Sequence, residues 1–106
     1  MIDLSTLKNE SLYEIKLLDG KTYTLKRPTQ AIQQFLVDLS EMTQADQMTG
    51  LAAIFVRILN RNTQGETFTL ETLGEEYGYE IMAYVIKDYS EFWMKSMNDI
   101  NFQVAQ

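Results

Sequence analysis

The chain contains no cysteine and no histidine among its 106 residues. Without thiols there is no disulfide framework, no zinc ribbon, no redox pair and no cysteine nucleophile. Without imidazole, the commonest general base and the commonest metal ligand are both missing. No apolar run approaches the roughly 20 residues needed to cross a bilayer. The first residues, Met1-Ile2-Asp3-Leu4-Ser5, are acidic where a secretory leader would be basic, so the expected address is the cytoplasm. No tract is of low complexity and no segment repeats.

Basic residues are also scarce. Nine Lys and Arg face fifteen Asp and Glu, a net charge of −6. Five glutamates and no base lie between Glu66 and Glu80. A duplex-binding protein engages phosphates with a basic stripe, and none is present. Arg57 and Arg61, one turn apart, read as a solvated helix edge, so neither nucleic acid nor a membrane is an expected partner.

What remains is a chain 45% hydrophobic and 23% charged, long enough for one folded domain without a metal or disulfide staple. The expected fold class is α+β, mostly helical, with an N-terminal β-hairpin followed by three to four helices. Residues 1–11 read as a flexible arm with Ile2, Leu4 and Leu7 as apolar anchors, and residues 12–106 as a single domain.

From Leu12 to Lys26 the pattern predicts a hairpin around Asp19-Gly20. A two-residue loop would scatter apolar side chains over both faces. A three-residue loop, Leu18-Asp19-Gly20, with a left-handed glycine puts Tyr13, Ile15, Leu17, Tyr23 and Leu25 on one face. A helix capped by Thr29 follows, with Ala31, Ile32, Phe35, Leu36, Leu39 and Met42 at helical spacing. After a break over Thr43–Thr49, a second helix carries Leu51, Ile54, Phe55, Ile58 and Leu59, stopping near Asn60-Arg61-Asn62. Thr69 or Thr72 is expected to cap a short acidic helix ending by Gly78, and a long helix is expected from about Tyr79 to Asp99.

Catalytic chemistry is thinly supplied. Glu71 with Glu75, or Glu76 with Glu80, can share a helix face as an acid/base pair or hard-metal site, but a solvated acidic face is the plainer reading. No phosphate loop or calcium-loop spacing occurs. No enzyme activity, no cofactor and no metal site is expected.

The last helix carries the positive signal. Ile81, Met82, Val85, Tyr89 and Phe92, extended by Ile86, Trp93 and Met97, span roughly 160° of the helix at 100° per residue. Tyr84 and Met94 fall off this arc and face water unless something covers them. Tyr89, Phe92 and Trp93 are either the core of a small domain or, with Tyr84, Met94 and Met97, a partner-binding surface. Twelve aromatics and six methionines favour the surface, since tyrosine and methionine suit adaptable apolar recognition and helix-in-groove binding.

The hairpin Leu12–Leu25, the Pro28-Thr29 entry into amphipathic helices, the segment Ile58-Leu59-Asn60-Arg61-Asn62-Thr63-Gln64-Gly65-Glu66-Thr67-Phe68-Thr69, the acidic turn and the final aromatic helix together resemble a known layout. It is that of the small tail assembly chaperones of long-tailed phages (siphophages) of Gram-positive bacteria, particularly lactic acid bacteria. The resemblance covers about Leu12 to Phe102 and rests on layout and length, so it assigns no site residue of its own. It implies a non-catalytic protein that keeps apolar helical repeats of the tape measure protein soluble until the tail tube assembles around them. It also implies self-association into homo-oligomers, residence in the cytoplasm of the infected host, absence from the mature virion and, in many members, a longer frameshifted form. Two other readings stand beside it: a phage morphogenesis adaptor such as a head–tail connector, and an acidic inhibitor of a host protein, suggested by the Glu66–Glu80 run.

Overall fold

The computed structural model describes the backbone of residues 12–105 and the side chains of residues 12–95. The expected arm at residues 1–11 and the side chain of Met97 lie outside the described residues. The fold is α+β and mostly helical. A two-stranded antiparallel hairpin, β1 (Tyr13–Lys16) and β2 (Thr22–Leu25), precedes α1 (Gln30–Ser40), α2 (Gln44–Leu59), α3 (Leu70–Glu76) and α4 (Tyr79–Ala105).

The hairpin takes the register that its side chains demand. Tyr13 pairs with Leu25 and Ile15 with Tyr23, while Leu17 N–H donates to the Lys21 carbonyl at 3.0 Å. Gly20 sits at φ 83°, left-handed backbone that glycine adopts without strain. Tyr13, Leu17, Tyr23 and Leu25 are buried, whereas Glu14, Lys16, Thr22 and Lys26 are exposed. The outer edge of β2 is closed by the chain leaving α2. Lys26 N–H donates to the Arg61 carbonyl at 3.0 Å and Thr63 N–H to the Thr24 carbonyl at 2.9 Å.

Threonine caps set the starts of three helices. Thr29, Thr43 and Thr69 each accept from the backbone N–H three residues on, at Ile32, Asp46 and Thr72. The expected break over Thr43–Thr49 is shorter than its polar composition suggests. Thr43 is the cap, Asp46 complements the positive helix start, and α2 begins at Gln44. The last helix runs six residues beyond Asp99, to Ala105.

α2 is the central helix and packs against α1, α3 and α4. Ile54, Phe55, Ile58 and Leu59 have no exposed surface. Each such burial contributes about 1.5–3 kcal/mol. Arg61 is not on a helix edge as its spacing with Arg57 suggests. It lies past the α2 terminus, and its Nε and Nη2 donate to the Arg27 carbonyl at 3.0 and 2.8 Å, tying the β2–α1 connection to the end of α2.

Two asparagines shape the loop that follows. Asn60 exchanges hydrogen bonds with the Phe68 backbone, donating to its carbonyl at 3.0 Å and accepting from its N–H at 2.7 Å. Asn62, buried, donates to the carbonyls of Leu59 and Glu66 and accepts from Glu66 N–H. That loop then places Phe68 against Tyr23, ring centroids 5.3 Å apart.

Candidate functional site

The nominated residues of α4 do not form one surface. Tyr89 is completely buried and Trp93 is 3% exposed. With Phe92 and Tyr13 they make an internal aromatic cluster. Tyr13 lies edge-on to Tyr89 and to Phe92, each at 5.4 Å, and Phe92 edge-on to Trp93 at 5.0 Å. Such edge-to-face pairs add about 0.5–1.5 kcal/mol each beyond burial. The Tyr89 hydroxyl donates to the Lys26 carbonyl at 2.7 Å, and the Arg27 guanidinium lies over the indole of Trp93, 5.0 Å from its centroid. The Trp93 Nε1–H is buried and makes no hydrogen bond among the described residues.

Tyr84 and Met94 are 74% and 62% exposed. Ten residues apart on one helix, they project about 80° from each other and about 15 Å apart along the axis. Tyr84 stands on the side of Tyr13 and Asp88, whereas Met94 overhangs a groove. Ile81, at one end of the apolar arc, is also exposed; the buried stripe is Met82, Val85, Ile86, Tyr89 and Trp93. Helical periodicity marks an apolar arc, but the direction from which α2 and the hairpin approach decides which part of it they cover.

The groove lies between α1 and α4. Pro28, Leu36 and Val37 line one wall and Tyr89, Trp93 and Met94 the other, around a volume of about 370 Å³. It is continuous, through Leu36 and Ser90, with a wider trough of about 590 Å³ formed by Leu39, Met48, Leu51, Ala83 and Ile86. Val37 and Met48 are 57% and 45% exposed.

α1 and α2 approach closely at a glycine. At Gly50 in α2, an added Cβ would meet Leu39 Cδ1 at 2.8 Å and Met42 Sδ at 3.4 Å. The missing side chain lets the end of α1 settle onto α2. Leu36 and Leu39 are half-buried. The sequence signal for the groove is Val37, an apolar residue beside the glutamines of α1 that belongs to neither of its expected faces.

The carboxylates offer little by comparison. Glu71, Glu75, Glu76 and Glu80 are all exposed, and among the described residues no three Asp or Glu side chains gather as a metal site. Among the same residues, no helix is long and apolar enough to cross a membrane. The perturbed groups are phenols. Burial, then the hydrogen bond to Asp88, pushes the Tyr13 hydroxyl well above its usual pKa. Burial does the same to Tyr89, with Arg61 opposing.

No family model, curated protein or solved structure matches this chain.

Proposed function

We propose that this chain is a non-catalytic tail assembly chaperone of a long-tailed phage, binding apolar helical segments of the tape measure protein in the cytoplasm of the infected host. On this reading it leaves before the virion is complete. The layout from Leu12 to Phe102 suggests the client, and the observation that supports apolar helix binding is the open groove between α1 and α4, walled by Leu36, Val37, Trp93 and Met94. An amphipathic helix presents apolar side chains at i, i+3, i+4 and i+7, and a groove between two helices is the shape that receives them. Covering Val37 and Met94 contributes roughly 25 cal/mol per Å² of apolar surface removed from water. Many such weak contacts along a repetitive client add up by avidity while each one stays displaceable.

The occupied face differs from the nominated one. Met94 belongs to it. Phe92 supports it from within the aromatic cluster, Tyr89 and Trp93 form part of its wall, and Tyr84 lies outside it.

The test is co-expression of the full chain with a tape measure fragment, followed by size exclusion with light scattering. The expected result is a fragment insoluble alone that co-elutes as a large complex. Val37→Asp and Met94→Asp are expected to abolish co-elution while Tyr84→Asp retains it. A fragment that precipitates regardless, or groove variants that co-elute like the wild type, refutes the reading.

A further inference from the structure

We propose that β1 is a two-fold edge through which two copies of this chain join into one four-stranded antiparallel sheet. This inference stands on the hairpin alone and is independent of the chaperone reading.

The hairpin has two edges, and among the described residues only one is closed. Leu17 N–H bonds across to Lys21, and the paired register carries on through Ile15–Tyr23 and Tyr13–Leu25. In an antiparallel ladder alternate residues turn their N–H and C=O groups to opposite sides. Those of Tyr13, Ile15 and Leu17 therefore face β2, and those of Glu14 and Lys16 face outward. The far edge of β2 is occupied by Arg61 and Thr63. Among the described residues nothing bonds to the outward groups of Glu14 and Lys16. Beyond them the Leu18 N–H is taken by the Tyr77 hydroxyl at 3.0 Å, which ends the open stretch.

An open edge with a charge on it ordinarily resists pairing. Here the two charges have opposite signs and stand two residues apart. A two-fold pairing centred on Ile15 sets Glu14 of each copy against Lys16 of the other, and these are the residues whose backbone groups face outward. Four main-chain hydrogen bonds and two cross-strand ion pairs form together. The same register sets Leu12 against Leu18 of the other copy, and these side chains are 39% and 60% exposed in the single chain. A pairing centred on residue 14 or residue 16 opposes like charges instead. The edge is thus self-complementary in one register, as an isologous interface requires.

The experiment measures self-association of the full chain by sedimentation and light scattering at low ionic strength. The wild type is expected to dimerise with rising concentration. Glu14→Lys and Lys16→Glu each oppose like charges twice across the two-fold axis and are expected to weaken the homodimer about tenfold or more. Mixed together, the two variants pair Lys with Glu at every position and are expected to form a heterodimer. The double variant carrying both substitutions is expected to dimerise like the wild type. Both positions are exposed, so circular dichroism of each variant is expected to match the wild type. A wild type that stays monomeric overturns the proposal, as do single variants that associate undiminished or a mixture that fails to form the heterodimer. Association through the α1–α4 groove would leave all four proteins alike, and is one of the overturning results.

Discussion

The Tyr13 hydroxyl donates a 2.6 Å hydrogen bond to Asp88 Oδ2, joining β1 to α4 across 75 positions of sequence. Its ring meets Tyr89 and Phe92 edge-on in the same contact. One side chain thereby couples the hairpin to the helix that forms a wall of the groove.

That coupling makes stability sensitive to alkali. The Tyr13 and Tyr89 phenols are raised in the folded state, first by burial, whereas an unfolded tyrosine titrates near about 10. A raised phenol favours the fold while it stays protonated. Its contribution is complete below about pH 10 and is lost as pH rises from there through the folded value. The urea midpoint is expected to be flat between about pH 7 and 9 and to fall above that, with a shallower fall in Tyr13→Phe. At neutral pH the same variant is expected to lose about 1.5–3 kcal/mol, the worth of one hydrogen bond to a charged acceptor.

The close approach at Gly50 predicts a steep dependence on side-chain size. Alanine recovers about 1 kcal/mol of helix propensity and displaces only the flexible end of Leu39, so Gly50→Ala is expected to change stability by less than about 1 kcal/mol. Gly50→Ile adds a branched side chain where α1 crosses and is expected to cost about 2–3 kcal/mol. Thermal or urea denaturation of the pair checks this, and equal effects would show that the helices do not meet there.

Asn62 is a buried amide with all three of its loop partners in place. Asn62→Ala leaves the Glu66 backbone to find water and is expected to cost about 2–3 kcal/mol. Asn62→Asp keeps the acceptor and loses both donations, so it is expected to rescue little. Hydrogen exchange at Glu66 is expected to quicken in both variants.

Trp93 fills the space between Arg27, Phe92 and Tyr89. Trp93→Ala is expected to cost about 3–5 kcal/mol by opening a cavity. Because the indole N–H closes no ordinary hydrogen bond, Trp93→Phe loses packing alone and is expected to cost less than half as much. Denaturant unfolding of the two variants gives the ratio.

The hairpin register was legible because its period is two: with Tyr13, Ile15, Leu17, Tyr23 and Leu25 needing one face, only the three-residue loop satisfies them all. The Thr29 cap and the left-handed Gly20 were legible for the same local reason, since each acts within one turn of its own position. Where locality failed, the expectations failed too. The polar run at Thr43–Thr49 looked like a break because the packing that holds its helix, Leu39 and Met42 over Gly50, comes from another element. Arg61 looked solvated because its acceptor, the Arg27 carbonyl, is 34 residues away.

By itself the sequence determined the elements, their order, the buried face of the hairpin and the stripe of α2, because periodicity and capping are properties of neighbouring residues. Tertiary structure alone decided the division of the α4 arc. An arc of roughly 160° is wider than one packing partner covers, and its fate depends on the angles at which α1, α2 and the hairpin approach. Those angles are set by contacts such as Gly50 with Leu39 and Tyr13 with Asp88. They bury Tyr89 and Trp93, leave Met94 overhanging the groove, and turn Tyr84 away from it.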